Sequence, residues 1–584
     1  MMGVKLTGPK RAITMRSPFL RALLAALCVL LVLMAVMRSD SVPVHNHIFG
    51  KGSLKSSLAQ QPQQPQQQPP QLQQQQNQQE QEQQQRPQQH HKQQRPLENK
   101  KRPFAHLPFL NAERPVTTSA PIINCTVDVP HLTEIKQRYE LDEKFQYLKR
   151  YVRFTRQEGL ERKRITKLEG DLLPGALTTV DLTKQYAHEA CLAPLEVPVT
   201  ASGMPSTVNA SDFMFGVSTT YQRFMDSNTT PINEWIFWLT DGLGHSNGGK
   251  LLLMLLDASD EELQEVANLL GDVGIDVDVY HSNSAVEMAV RYLTLVPTLY
   301  THSDAHKKKW LVTCDDDTFF PSMHGLIKKI NSYDHTRQMY IGTLSEDVGA
   351  IERHGSQAFG GAGVFLSLPM AKLITERFGL CTSEQKVLES NSGWGPQGDI
   401  MLRKCIYENS ETRLTSVWDL WQLDFFGQPA GFYEWGIKPL SLHHYRGGGW
   451  HKAKPGQFTK IAHTCGEDCT LQRFQTADNF VISGYSIAHY PQGIDFDINQ
   501  MEGTLHAAPE NKGWNLDFMF GPQRPALERT GRKIAWELQE SDVRSDGSVL
   551  QTYTRKKNDG RWLNKNGQSM SNIDGVFELV WIPA

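Results

Sequence analysis

Three consecutive aspartates, Asp315-Asp316-Asp317, stand directly behind an apolar run from Trp310 to Thr313. Adjacent carboxylates repel one another, and burial raises that cost unless a cation or hydrogen-bond donors compensate. A strand that carries them must end at a rim where something else meets the charge. The residues upstream supply a sheet for such a rim. Residues 212–218 and 234–240 read as strands, Ser259 and Glu262 as a capping box, and Leu263, Val266, Leu269 and Leu270 follow at helical spacing. Residues 274–280 alternate as a strand. Ser284 with Glu287 reads as a second capping box, opening a helix with Val286, Ala289, Val290 and Leu293 on its apolar face. This alternation predicts an α/β fold, a mostly parallel sheet with helices on both faces. Ligands of such sheets bind at the carboxyl ends of the strands, where the three acids fall.

Hard divalent cations such as Mn²⁺ and Mg²⁺ prefer carboxylate oxygens and commonly bridge to substrate phosphates. A solvated acidic turn is the plain alternative for any run of Asp. Trp310, Leu311 and Val312 before the acids, and Phe319 and Phe320 after them, favour the cation. Downstream pieces suit the same chemistry. Gly360, Gly361 and Gly363 permit close backbone approach to a ligand, although a tight lead into a strand has the same needs. Trp394-Gly395-Pro396-Gln397-Gly398-Asp399 puts an acid at the start of a helix containing Met401, Leu402 and Cys405, where Asp is often only a cap. Leu442-His443-His444-Tyr445 reads as the end of an apolar strand. Paired His serve either as a buried hydrogen-bonded pair or to complete a cation site begun by carboxylates.

Much of the remaining chain reads as address and spacer. Residues 22–37 carry no charge; with Pro18, Phe19, Leu20 and a snorkelling Arg21, the stretch 18–37 is long enough to span a bilayer. Lys5, Lys10, Arg11 and Arg16 precede it and no acid does, so the N-terminus is expected to stay cytosolic and the rest to be lumenal. Arg38-Ser39-Asp40 makes a poor signal-peptide cleavage site, which favours an uncleaved type II anchor. Between residues 60 and 94, 22 of 35 residues are Gln, so there is nothing to bury and a disordered stem is expected. That tract explains most of the deficit in hydrophobic content, 39% against roughly 45–50% for a typical domain. Sequons at Asn124, Asn209 and Asn228 agree with a lumenal head. Cys465 and Cys469 are close enough to pair, Cys381 and Cys405 are a second candidate pair, and no Cys/His spacing suits zinc. A net charge of −3 argues against a dedicated nucleic-acid binder.

Taken in order, several of these pieces resemble the Fringe-like glycosyltransferases (family 31), which include the core 1 galactosyltransferases, and most nearly their plant and fungal subgroup. The pieces are Lys309-Trp310 with Asp315 to Phe319, Tyr340-Ile341-Gly342, Phe359 to Gly363, Gly398-Asp399 with Cys405, Phe432 to Gly436, and Ser441-Leu442-His443-His444. The resemblance covers about residues 212–450. It implies a GT-A (Rossmann-like) domain, a UDP-sugar donor, Mn²⁺ (or Mg²⁺), and inversion at the sugar carbon. It also implies that Asp317 and His444 bind the metal, with His443 as the alternative ligand. Asp315 and Asp316 would face the ribose and donor sugar, with Gly361 and Gly363 in the same nucleotide-sugar site. Asp399 would be the general base, and Thr219, in Val217-Ser218-Thr219-Thr220, would touch the nucleotide. Many animal members carry an acid where this chain has Gly398, and Cys314 stands where relatives often have a small or apolar residue.

The expected organisation is a cytosolic tail (1–17), a transmembrane helix (18–37), a Gln-rich stem (38–120), an N-terminal extension (121–205), a Fringe-like catalytic domain (206–455) and a β-rich C-terminal domain (456–584). The extension reads as helical over 133–167. The C-terminal domain is suggested by 479–486, 514–520 and 576–581, rich in aromatic and β-branched residues. The implied activity is metal-dependent transfer of a hexose or N-acetylhexosamine to a glycan or glycoprotein hydroxyl, β1,3 by family expectation, at the Golgi membrane and without nucleic acid. An inactive lumenal chaperone or carbohydrate-binding protein on the same fold is the alternative. Retention of Asp315 to Asp317, Asp399 and His444 weighs against it.

Overall fold

The computed structural model of the chain describes residues 121, 123–187, 190–227, 230–506 and 517–584. The expected tail, transmembrane segment and stem, and the sequon at Asn228, lie outside the described residues. Among the described residues no helix is long and apolar enough to cross a membrane. Asn124 and Asn209 are exposed.

Seven strands form the sheet that carries the acids: β1 (Phe213–Thr220), β2 (Lys250–Leu256), β3 (Asp276–His281), β4 (Trp310–Thr313), β5 (Tyr340–Gly342), β6 (Val364–Ser367) and β7 (Thr415–Ser416). Their order is β7-β5-β6-β4-β1-β2-β3. β1 to β4 run parallel, β6 is antiparallel to both its neighbours, and β7 is parallel to β5. This is the mostly parallel α/β sheet that the strand–helix alternation predicts. The inner strands are apolar throughout because both faces are covered. Phe213, Phe215, Val217, Leu251, Leu253, Trp310, Val312 and Phe365 enter one core. Their alternates Met214, Leu252, Leu311, Val364 and Leu366 enter another, as a period of two requires.

Helix α1 (Ile232–Leu239) follows β1, and α2 (Asp260–Asp272) follows β2. α2 opens with the expected capping box: the Ser259 N–H donates to Glu262 at 2.8 Å, and the Glu262 N–H donates to Ser259 Oγ at 3.3 Å. α3 (Met288–Thr301), α4 (Met323–Ile330), α5 (Leu368–Cys381) and α6 (Gly398–Asn409) complete the layers. Cys381 and Cys405 form a disulfide between α5 and α6; Cys125–Cys191 and Cys465–Cys469 are also paired, and Cys314 is free and buried.

Several local expectations are corrected. Of residues 234–240, all but the C-cap Thr240 belong to α1, not to a strand. Ile232, Trp235, Ile236 and Leu239 are buried at helical spacing, and a short apolar run does not distinguish the two states by itself. Ser284 and Glu287 form no capping box, because Asn283 accepts from the Ala285 N–H in a local turn and α3 starts only at Met288. Helix in the 133–167 stretch ends at Arg138, and Lys144–Gln157 is a strand. Of 514–520, Asp517–Phe520 is a helical turn, and 514–516 lie outside the described residues. The segment 442–445 is not a strand: Leu442 makes a single bridge to Phe319, with N–H···O distances of 2.8 and 2.9 Å.

A second, ten-stranded sheet gathers both ends of the described chain. Lys144–Gln157 pairs parallel with Asp574–Pro583, from Phe145 opposite Asp574 to Phe154 opposite Pro583. Asp574–Pro583 pairs in turn with Val549–Arg555, and that strand with Ile534–Val543, both antiparallel. One apolar core runs from the first sheet (Trp310, Phe319) through Tyr433 and Trp435 to Trp536 and Phe577 of the second.

Candidate active site

Strand β4 delivers Asp315, Asp316 and Asp317 to its carboxyl end, and Asp316 parts from the other two. The turn is tied down by Thr318, whose hydroxyl accepts from the Asp315 N–H at 3.0 Å and donates to the Gly361 carbonyl at 2.8 Å. Asp316 points inward. It accepts from the Thr219 hydroxyl at the end of β1, and Arg223 approaches its two carboxylate oxygens at 2.7 Å each. Thr219 therefore stands beside the acids, bonded to Asp316.

Asp315 and Asp317 converge instead on His443. Its Nε2 lies 3.1 Å from Asp317 and 3.5 Å from Asp315. One ligand atom from each of the three lies within 4.8 Å of the others. The Leu442–Phe319 bridge produces this meeting, since Phe319 follows Asp317 by two residues and Leu442 precedes His443. Gly361 is required here: a Cβ on it would sit 2.2 Å from the His443 ring. Gly363 has φ +91°, a region unfavourable to other residues.

His444 is placed differently from its expected role. Its backbone is left-handed, φ +54°, and its Nδ1 faces Asp424 at 2.9 Å. Its ring stacks on Trp450 with centroids 4.3 Å apart. The acid–imidazole group assembled by the fold is thus Asp315, Asp317 and His443, and His444 packs behind it at 3.8 Å from His443. The turn of backbone at His444 breaks the alternation that a strand would have imposed.

The electrostatics are those of an under-compensated acidic cleft. Burial, with Asp317 beside it, pushes Asp315 up to about 6, yet 44% of its side chain remains open to the cleft. Burial would also raise Asp317, but the His443 imidazole outweighs it and holds that carboxyl well below its usual range. His443 resists burial through the same partner and is raised to about 9. Two carboxylates and an imidazole, buried on one side and open on the other, are a donor set that fits a hard or borderline divalent cation.

Asp399 sits in the first turn of α6. It accepts from the Gly360 N–H at 3.1 Å, so the glycine-rich turn joins it to the same cleft. Burial, with Asp315 nearby, raises it to about 7. Behind it lies Tyr292 of α3, which the sequence did not mark. Its hydroxyl lies 3.2 Å from Thr313 Oγ1, and a Cβ on Gly398 would meet its ring at 2.5 Å. The tyrosine thus occupies the space that an acidic side chain would need at position 398. Arg223 and Asp424 were missed for the same reason: each is an ordinary polar residue until the fold places it. Leu423, with φ +60°, and the buried Glu346, which accepts from the Gln422 and Leu423 N–H groups at 2.9 and 2.8 Å, hold Asp424 in position.

The α/β domain thus gathers acids at a strand end, an imidazole from a distant loop and a carboxyl at a helix start. Residues 252–424 match the family described as Fringe-like. The chain is 28% identical over 195 residues to the β-1,3-N-acetylglucosaminyltransferase lunatic fringe of Danio rerio, covering 30% of this chain and 46% of that protein. It is 27% identical over 177 residues to lunatic fringe of Xenopus laevis, covering 28% and 42%. The match thus spans less than half the length of these curated relatives. A solved structure, the mannosyltransferase PcManGT from Pyrobaculum calidifontis in complex with GDP-Man and Mn2+, aligns over 37% of this chain and 57% of its own. Its identity is 13% and its TM-score 0.24. Over residues 252–424 the chain is thus similar to the Fringe-like family.

Proposed function

We propose that this chain is a divalent-cation-dependent inverting glycosyltransferase. It moves a hexose or N-acetylhexosamine from a UDP-sugar to a hydroxyl of a glycan or glycoprotein, in β1,3 linkage. The observation that carries this reading is Asp399, raised to about 7 and tied through Gly360 to the loop that cradles His443. Inversion needs a base for the acceptor hydroxyl, and a carboxyl with that affinity takes a proton near neutral pH. The acceptor oxygen forms its bond to the anomeric carbon as the bond to UDP breaks, and its proton passes to a carboxylate oxygen of Asp399. Asp315, Asp317 and His443 would hold Mn²⁺ or Mg²⁺, which when bound supplies Lewis-acid neutralisation of the leaving diphosphate. Asp316, fixed by Thr219 and Arg223, forms the wall on the nucleotide side. The expected anchor at 18–37 would place this head in the Golgi lumen as a type II protein.

The test is UDP release by the full-length chain across a panel of UDP-sugars with Mn²⁺. Turnover with one donor, lost in Asp399→Asn while UDP binding persists, supports the reading. Nucleotide binding without turnover under any donor or acceptor would favour the inactive carbohydrate-binding alternative.

A further inference from the structure

A cavity of about 510 Å³ opens between the segment that follows the α/β sheet and the second sheet. Its lining includes Gln428, Trp450, Lys452 and Lys454 from the segment after the α/β sheet, and Glu537 and Gln539 from the strand Ile534–Val543. The volume lies within the roughly 300–1,000 Å³ of small-molecule sites. A chain of packed rings links it to the candidate active site. Trp450 stacks on His444 at 4.3 Å, His444 lies 3.8 Å from His443, and His443 lies 3.1 Å from Asp317. None of the residues that surround Asp316 lines it.

The walls mix planar polar groups with aromatic rings. Lys454 Nζ donates to Gln539 Oε1 at 2.8 Å, and Gln428 Nε2 donates to Glu537 at 3.4 Å. These amide, ammonium and carboxylate groups stand among Trp450, Tyr485 and Phe458. Lys452 is exposed, and its ammonium has no partner among the described residues. Hydroxyl-bearing rings with apolar C–H faces suit such a lining, because rigid aromatic surfaces take the C–H face and fixed polar groups take the hydroxyls.

We propose that this cavity is an acceptor subsite, holding a saccharide unit of the glycan that receives the sugar. The proposal rests on the transferase reading and assigns the second sheet a share in choosing the substrate. Glu537 and Gln539 then recognise acceptor while the α/β sheet holds donor.

Saturation-transfer NMR on the full-length chain tests it, with methyl glycosides of galactose, N-acetylglucosamine, fucose and xylose as probes. At least one glycoside is expected to bind both the unaltered chain and Asp317→Asn. Its Kd should rise at least about tenfold in the double variant Lys452→Ala/Gln539→Ala and several-fold in Lys452→Ala alone, a change at an exposed side chain. The thermal shift given by UDP with Mn²⁺ should be the same in all but Asp317→Asn. Failure of every glycoside to bind, or undiminished binding in a folded double variant, overturns the subsite. Loss of the UDP–Mn²⁺ shift in the unaltered chain overturns the transferase reading instead, so the two failures are distinguishable.

Discussion

The two sheets bury acids in opposite ways. In the second, Lys533 Nζ donates to Glu434 and Glu502 at 2.7 and 2.8 Å, and Arg524 reaches Glu502 at 2.7 Å. Two carboxylates meet two cations. Burial would raise Glu502, but Lys533 and Arg524 outweigh it and hold it at about 2. In the cleft, Asp315 behind β4 and Asp399 at the start of α6 stand raised to about 6 and about 7, and the Arg223 guanidinium, already engaged by Asp316, reaches Asp317 only at 3.9 Å. A closed charge cluster holds a fold together. An open one keeps room for a cation and a reacting hydroxyl, and it accepts a stability cost to do so.

That contrast is most sharply broken by removing one group from each side. Asp317→Asn should lower cation-dependent transfer by at least about a thousandfold, with only a modest fall in melting temperature from the lost His443 partner; a large fall would mean that Asp317 chiefly holds the fold together. Lys533→Met should do the reverse. It leaves Glu434 and Glu502 buried without their shared cation, at a cost of about 3–5 kcal/mol in chemical denaturation, while the folded fraction keeps its turnover per molecule.

Cation binding gives the next effect. At a hundred times its Kd, Mn²⁺ should stabilise the unaltered chain by about 2.7 kcal/mol and Asp317→Asn hardly at all. Gly361→Ala should weaken that response too, because its Cβ would strike His443 at 2.2 Å. The smallest effects are in pH. Asp399 has a folded pKa raised above its unfolded value, so its ionisation opposes folding: that cost is absent below about pH 4 and fully present above about pH 7. Asp399→Asn should therefore be more stable than the unaltered chain at pH 8, by on the order of 1–2 kcal/mol once solvent access is allowed for, and equal to it near pH 4. Transfer should be lost as pH falls through about 7, since the base must be ionised. Glu502 has the opposite sign. Its stabilisation is present above about pH 4 and goes as pH falls towards 2, which urea melts at descending pH would show.

What could be read from the sequence was chemistry carried by neighbours in the chain. Asp315 to Asp317 behind Trp310 to Thr313, the capping box at Ser259, and Asp399 at a helix start are each a few residues long, and each stands where the order of pieces suggested. Signals failed where a local pattern had two solutions. The run at 234–240 was apolar enough for either a strand or α1, and burial of Trp235, Ile236 and Leu239 on one face decided for the helix. The strand Lys144–Gln157 was hidden because its partner, Asp574–Pro583, lies at the far end of the chain. Tyr292 and Gly398 make sense only as a pair, one filling the space the other leaves.

By itself the sequence determined which side chains were present to do chemistry and that an alternating α/β sheet would bring the acids to a strand end, because hydrophobic period and capping act over a few residues. Only the tertiary structure decided that His443 rather than His444 faces Asp315 and Asp317. The choice depends on one bridge between Leu442 and Phe319 and one left-handed residue. Pairing of that kind links segments far apart in the chain, and neither segment alone contains the information to specify it.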